Sequence, residues 1–203
     1  MKIAALTGAG ISKASGVPTF VEMGDLRKKL SRYYFNVYPE KFYDTLISMR
    51  KVTDEAMPNA AHIALTEYAI PVVTMNIDGL HHRAGSRDGN VIEIHGSLRK
   101  VFCNNCGKWY DFDVVKESIY CSNCKDAILQ PDIVLYGDSI PKLYDAIDMV
   151  CEVDLLLVIG TSFYTSTATY VSEAARSAGA QVRIINEKAE EKVPQLLREL
   201  IEG

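Results

Sequence analysis

The chain has 203 residues, with 22 Lys and Arg against 26 Asp and Glu, a net charge of −4, 48% hydrophobic and 24% charged residues. At roughly 150 residues per domain this length allows one domain plus a modest insertion. The acidic balance excludes the basic stripe of a nucleic-acid-binding domain, and the composition excludes disordered and fibrous classes. A membrane span needs about 18 or more consecutive apolar residues. The longest candidate, Leu155–Ile159, stops at Gly160, and the stretch before Thr7 is too poor in apolar residues for a secretory signal. A cytoplasmic chain is expected.

Short apolar runs alternate with segments of helical period, the pattern of parallel strands joined by crossover helices. The first run, Lys2–Leu6, leads into Thr7-Gly8-Ala9-Gly10-Ile11-Ser12. Glycines let a backbone approach a pyrophosphate, and a helix start beyond them offers free N–H groups. A tight turn reads the same way, and the dinucleotide fingerprint has Lys13 where its third glycine belongs. Val21–Glu55 follows, charged and tyrosine-rich with no clear buried strand; Asn59–Tyr68 then has helical period. The second run, Pro71–Thr74, leads to Asn76-Ile77-Asp78-Gly79-Leu80-His81-His82. An amide and a carboxylate two residues apart can orient a polar ligand or a water, and serve equally well as a helix cap. His81 and His82 read as satisfied helix-start side chains. The third run, Val91–Ile94, leads to His95-Gly96. A histidine titrates near neutrality and is well placed there as a general base; a lone histidine is often structural. Gly96 lets substrate pass close to the backbone.

The segment Arg99–Asp126 carries Cys103-x-x-Cys106, fourteen intervening residues, and Cys121-x-x-Cys124. Two such turns point four thiolates at one centre, the tetrahedral shell zinc prefers, and four sulfur ligands leave no open position, so the metal is structural. Gly107 and Asn123 suit the tight knuckles. The fourth run, Ile133–Leu135, leads to Tyr136-Gly137-Asp138. In the helical segment Lys142–Val150, Cys151 falls in register with Leu143, Ile147 and Val150 and is expected in the core. The fifth run, Leu155–Ile159, leads to Gly160-Thr161-Ser162, whose hydroxyls and N–H groups suit a phosphate or ribose. After the helical segment Thr167–Ser177, the sixth run, Val182–Ile185, ends at Asn186, a candidate ribose partner. The stripe Val193, Leu196, Leu197, Leu200, Ile201 predicts a helix over Val193–Ile201 with Pro194 in its first turn. Ligands of open parallel sheets bind at the carboxyl ends of strands, so six strand ends bearing small or polar groups point to one composite crevice.

Taken together these pieces resemble the sirtuins, the NAD-dependent protein deacylases. The likeness runs through nearly the whole chain: Gly8-Ala9-Gly10-Ile11-Ser12, Ser15-Gly16-Val17-Pro18 and Phe20, Pro58-Asn59 with His62, Asn76-Ile77-Asp78 with Leu80-His81, and Ala84-Gly85. It continues through Glu93, His95-Gly96, the four cysteines, Pro131 with Ile133-Val134, Gly137, Gly160-Thr161-Ser162 and Asn186. The resemblance implies an α/β fold, a Rossmann-like doubly wound parallel sheet with a small zinc-ribbon and helical module inserted. In this chain that divides into residues 1–20, 56–98 and 127–203 as the NAD-binding domain, 21–55 as cofactor loop and helical module, and 99–126 as zinc module. It implies NAD held by Gly8, Ala9, Gly10, Ser12, Phe20, Asn76, Ile77, Asp78, Gly160, Thr161, Ser162 and Asn186. An acyl-lysine peptide lies at Val134, Tyr136 and Gly137, one Zn²⁺ on Cys103, Cys106, Cys121 and Cys124, and catalysis rests with His95, Asn76 and Asp78. By the same resemblance His95 is the general base on a ribose hydroxyl, and the products are free lysine, nicotinamide and O-acyl-ADP-ribose. No nucleic acid or membrane partner is implied, and a monomer is expected.

Four departures from the family pattern stand out. Val21 replaces the usual Arg after the Phe, and Met75 the usual Gln before Asn-Ile-Asp. Tyr164-Thr165-Ser166-Thr167 replaces apolar residues and Pro, and the tail after Asn186 is short, without a last edge strand and its adenine-contacting loop. Losing one charged hydrogen bond costs about 1.5–3 kcal/mol, so an NAD hydrolase or ADP-ribosyltransferase and a weakly catalytic NAD or ADP-ribose-binding module remain alternatives. Sirtuins that prefer acidic acyl groups resemble one another in a Tyr-x-x-Arg pair. Here Tyr43 is followed by Leu46 at the Arg position, which implies neutral acyl chains.

Overall fold

The computed structural model describes residues 1–19, 22, 24–87, 89–162 and 166–203. Phe20, Val21, Tyr164 and Thr165, which carry sequence expectations, lie outside the described residues.

The chain opens with strand β1 (Ile3–Thr7) and a short 3-10 turn, Ala9–Ser15. Helices α1 (Leu26–Lys29), α2 (Arg32–Val37) and α3 (Pro39–Glu55) follow, then α4 (Ala60–Glu67), β2 (Val72–Thr74), α5 (Leu80–Arg83) and β3 (Val91–Glu93). Next come β4 (Gly96–Phe102), β5 (Trp109–Asp111) and β6 (Gln130–Ile133). Helix α6 (Leu143–Cys151), β7 (Leu155–Ile159), α7 (Ser166–Ser177), β8 (Gln181–Ile185) and α8 (Ala189–Ile201) complete the chain.

Five strands form one parallel sheet in the order β3-β2-β1-β7-β8. The residues of β1 and β7 are buried throughout because both faces of the sheet are covered, which is why these strands read as unbroken apolar runs. Period-two alternation sends Ile3, Ala5, Leu155, Leu157 and Ile159 to one face, under Ala61, Leu65, Val193 and Leu197 of α4 and α8. Ala4, Leu6, Leu156 and Val158 go to the other, under Ala146 and Val150 of α6 and Val171 and Ala175 of α7.

A second, three-stranded antiparallel sheet has the order β5-β4-β6. The run around Ile133 therefore does not belong to the parallel sheet as its sequence suggested. Its strand starts at Gln130 and alternates, with Pro131 and Ile133 buried and Gln130 and Asp132 partly exposed, the signature of a half-covered strand. This sheet shares one core with α1–α3: Leu26, Leu30, Phe35, Phe42, Tyr43 and Leu46 pack with Leu98, Val101, Phe112, Leu129, Ile133 and Leu135. The two segments that interrupt the strand–helix rhythm thus fold as one body.

Two helix expectations need correction. Helix α8 begins at Ala189, because Ala189 and Val193 extend the buried stripe back to the sheet and Glu190 and Glu191 suit its N-terminal dipole. Pro194 consequently lies past the first turn, inside the helix. Cys151 is exposed at the end of α6, where Ala146 and Val150 take the buried face. No helix among the described residues is long and apolar enough to cross a membrane.

Candidate active site and zinc centre

Strand register builds the site. Thr7 pairs with Thr74 and Ile159, Thr74 with Glu93, and Ile159 with Ile185, so all five parallel strands end level. Their next residues, Gly8, Met75, Gly160, Ile94 and Asn186, form one row, and the connections leave β1 in opposite directions, the switch point at which such sheets bind ligands.

The loops after β1 and β7 are locked together. Gly8 donates its N–H to the Ile159 carbonyl (2.9 Å) and Gly10 to the Gly160 carbonyl (2.7 Å). A Cβ on Gly10 would lie 2.6 Å from Gly160 Cα, and one on Gly160, at φ +64°, would lie 2.1 Å from the Ile11 nitrogen. These glycines exist for close backbone approach. The expectation of a free N–H cradle is corrected to this extent: the N–H groups of Gly8, Gly10 and Ile11 are used within the protein. Beside them the buried Thr161 donates its N–H to Asn186 Oδ1 (3.1 Å), and Ser162 is exposed.

Asn76 and Asp78 meet Ser12 here. Asn76 Nδ2 donates to the Gly8 carbonyl and to Ser12 Oγ, both at 3.2 Å. Ser12 Oγ donates to Asp78 Oδ2 (2.7 Å), and the Leu80 N–H to Asp78 Oδ1 (2.9 Å). Asp78 precedes Gly79, the N-cap of α5, and accepts from the first residue of that helix as well as from Ser12, so it belongs both to the turn before the helix and to a polar cluster. Burial raises its carboxyl pKa, which the Leu80 N–H, Ser12, Asn76 and the Arg83 charge counteract. Ile77 and Asp78 line a cavity of about 210 Å³ together with Arg50, His82, Arg83 and Arg99.

His95 is held through Nδ1, 3.1 Å from the Met75 carbonyl oxygen. A carbonyl only accepts, so Nδ1 carries the proton and Nε2 bears the lone pair. Burial lowers the imidazole pKa and the Met75 contact partly restores it, leaving a neutral base near pH 7. The Met75 side chain itself is buried in the core and would lie 3.2 Å from a Cβ on Gly8. Gly96 has φ +75°, and a Cβ there would come 2.0 Å from the Asp132 carbonyl oxygen. Its freedom accommodates the protein's own strand β6, and the expectation that it clears a path for substrate is set aside.

Val134 and Tyr136 lie on the segment after β6, and Gly137 (φ +103°) turns it. Val134 donates to the His95 carbonyl (2.9 Å), Tyr136 donates to the Leu30 carbonyl, and Arg32 donates back to the Tyr136 carbonyl (3.0 Å each). Arg32 grips Asp138 through Nε (2.9 Å) and Nη2 (2.8 Å). Tyr136 and Gly137 line an open depression of about 580 Å³ with Gly24, Asp25, Arg27 and Ser31.

The four paired cysteines converge. Their sulfurs all lie within 4.8 Å of one another, with Cys103–Cys124 and Cys106–Cys121 both 3.8 Å apart. A tetrahedron with Zn–S bonds of about 2.3 Å has edges of about 3.8 Å, which two of the sulfur pairs match, so the donor set fits a zinc ion. Each knuckle closes on a left-handed residue. Gly107 (φ +70°) donates to the Cys103 carbonyl, and Lys125 (φ +60°), not Asn123, takes the matching position with its N–H on the Cys121 carbonyl (both 2.8 Å). Gly107 plays its expected part and Asn123 does not, because the strained position follows the second cysteine.

Two buried histidines stand behind the Asn76–Ser12–Asp78 cluster. His62 joins a capping box at the start of α4, its Nδ1 accepting the Asn59 N–H at 3.3 Å; Asn59-x-x-His62 has the spacing of that box and was a usable signal. His81, expected to be satisfied, is bonded through Nε2 to Thr7 Oγ1 (3.0 Å), and its buried Nδ1 has no partner among the described residues.

The Sir2 family model matches residues 8–166. An NAD-dependent protein deacetylase of Sulfurisphaera tokodaii is 38% identical over 197 residues, 90% of this chain and 78% of that protein. Among solved structures, Sir2Tm bound to a propionylated peptide superposes with a TM-score of 0.87 at 28% identity, covering 98% of this chain and 92% of that one. A Sir2 in complex with an inhibitor, 2'-O-acetyl-ADP-ribose and a deacetylated p53 peptide gives 0.85 at 29% identity, over 98% and 93%. This chain belongs to the Sir2 family.

Proposed function

We propose that the chain is an NAD-dependent protein lysine deacetylase, transferring the acyl group to ADP-ribose. The observation that carries the reading is the arrangement at the level strand ends. His95 presents Nε2 as a base, and the Asn76–Ser12–Asp78 cluster borders the locked loops of Gly8–Gly10 and Gly160.

NAD, when bound, supplies an electrophilic sugar carbon with nicotinamide as its leaving group. Gly8, Ala9, Gly10, Ser12, Gly160, Thr161, Ser162 and Asn186 would hold it, the glycines by keeping the two loops locked beside it and the polar groups on its phosphates and sugars; Phe20 is assigned to NAD by its place in the motif. Asn76, Ile77 and Asp78 orient the sugar and nicotinamide end. His95 takes a proton from a ribose hydroxyl onto Nε2, and the Met75 carbonyl steadies the imidazolium that results. Val134, Tyr136 and Gly137 receive the acyl-lysine peptide, beside the body of residues 21–55 and 99–126. Residues 1–20, 56–98 and 127–203 are assigned to the nucleotide, the parallel sheet holding it while Gly96–Leu98 and Ala127–Leu135 pack with the module. Zinc on four thiolates fits a reducing, cytoplasmic setting, and because one chain carries every group named, a monomer suffices.

Leu46 and Tyr43 are fully buried in the module's core, and the Tyr43 hydroxyl donates to the Leu129 carbonyl. Position 46 offers no cation for a carboxylated acyl group, so neutral acyl chains are preferred, and deacetylation outpaces desuccinylation on one peptide.

The test mixes the protein with NAD and an acetyl-lysine peptide and follows nicotinamide and O-acetyl-ADP-ribose by mass spectrometry. Both products are expected, dependent on peptide. Nicotinamide without peptide would mean NAD hydrolysis, and nucleotide binding without turnover a binding module.

A further inference from the structure

Two cations border the segment assigned to the peptide, and no step above uses them. Tyr136 is bound through its backbone to the chain just past α1. Its N–H donates to the Leu30 carbonyl and its carbonyl accepts the Arg32 N–H, which fixes α1 beside Tyr136 and Gly137. Leu26 and Leu30 are buried in the module's core, and between them Arg27 and Lys28 are exposed. Both line the open depression of about 580 Å³ beside Tyr136 and Gly137. The Arg27 guanidinium carbon stands 5.0 Å from the centre of the Tyr136 ring, a cation–π contact that holds its charge at the peptide segment.

Charge decides what these side chains can do. Arg32, close by, is spent: Asp138 takes its Nε and Nη2, and Gln130 its Nη1. Among the described residues neither Arg27 nor Lys28 has a carboxylate partner. Asp25 is the acid among the lining residues, so two cations outweigh one carboxylate here, in a chain whose net charge is −4. A peptide laid along backbone binds whatever its sequence, and selection falls to the pockets around its side chains. Acylation removes the lysine's own charge, so charge is read from the residues beside it. A depression with room for a side chain and a surplus of positive charge fits a carboxylate.

We propose that Arg27 and Lys28 are specificity residues, which select peptides carrying an Asp or Glu next to the acyl-lysine. This inference rests on the deacetylase reading and names the class of its substrate, an acidic peptide.

The test compares acetyl-lysine peptides of one sequence that carry Glu, Gln or Lys beside the acetyl-lysine, on either side, with O-acetyl-ADP-ribose as readout at saturating NAD. On at least one side, KM for the Glu peptide is expected to be about threefold below that of the Gln peptide and about tenfold below that of the Lys peptide, with kcat unchanged, the scale of exposed ion pairs. Salt of about 0.5 M should remove most of the difference in the unaltered protein. The double variant Arg27→Glu with Lys28→Glu should reverse the order of the Glu and Lys peptides. Lys28→Glu alone should narrow the spread, whereas Lys29→Glu, an equal change in charge one residue outside the depression, should keep it. Equal KM values for the three peptides in wild type, or equal responses of the Lys28 and Lys29 variants, would overturn the proposal. So would a double variant that raises KM for NAD and leaves the peptide order intact, which would assign the two cations to the nucleotide's phosphates. Wild-type protein that makes no O-acetyl-ADP-ribose from any peptide would overturn the deacetylase reading and this inference with it, whereas turnover blind to peptide charge would overturn this inference alone.

Discussion

The parallel sheet and the zinc-bearing module solve the same problem by different means. The sheet buries two full faces under four helices and needs nothing beyond hydrocarbon and its own hydrogen bonds. The module assembles three short strands and three helices from two distant stretches of chain around an aromatic core, with Phe35, Phe42 and Tyr43 edge to face. So small a body exposes a large share of its surface, and four converging thiolates provide a fixed point that packing cannot. The sheet supplies rigidity for chemistry; the module supplies a wall built around four thiolates that fit a metal.

The largest expected effect separates the two. Chelation should remove about one zinc per chain, a contribution of roughly 10 kcal/mol in isolated zinc modules, and abolish peptide deacetylation while the parallel sheet keeps its circular-dichroism signal. Metal analysis and limited proteolysis within residues 99–126 check this; protein that stays resistant and active without metal would erase the contrast. Next, His95→Ala should lower kcat by about 10²–10⁴-fold with little change in melting temperature, because the half-buried ring braces no core; steady-state kinetics beside a thermal melt reads both.

Glycines sharpen the comparison further. Gly160→Ala forces a methyl group against the Ile11 nitrogen at a left-handed backbone position and should cost about 3 kcal/mol in denaturant unfolding. Gly107→Ala has a similar φ of +70° but nothing within 4 Å, and should cost about 1 kcal/mol. Equal losses would mean that the two loops are packed alike.

A further effect is graded with pH. Burial holds His62 down to about 4, puts His81 well below its usual value and lowers His95. All three titrate near 6.5 when unfolded. The folded state binds fewer protons below that pH, so stability present above about pH 6.5 is lost as pH falls towards 4, with about 3 kcal/mol from His62. Asp78, with its carboxyl raised, acts in the opposite sense and offsets part of this loss. Urea midpoints at pH 7 and pH 5 test it; an unchanged midpoint would mean that the histidines are not held neutral.

Much of this architecture is visible in the letters themselves. Five of the six apolar runs are parallel strands; β1, β2 and β7, buried throughout, cannot avoid continuous hydrocarbon, and the paired Cys-x-x-Cys spacing points at its tetrahedron. The failures have physical causes. Ile133–Leu135 looked like a sixth parallel strand because its alternation begins earlier, at Gln130. Gly96 looked like a substrate passage because no sequence shows that Asp132 arrives 2.0 Å from its missing Cβ. Cys151 fell on the wrong side of its helix because a stripe gives a face only to within about one residue.

The sequence by itself determined which segments must be buried, where the metal sits, and which polar residues follow each strand, because hydrophobic period and ligand spacing are local properties. Only the tertiary structure decided that Thr7, Thr74, Glu93, Ile159 and Ile185 end level and that Ser12 meets Asp78 across the sheet. Register and hydrogen-bond polarity arise between segments far apart in the chain, and they exist only once those segments are packed.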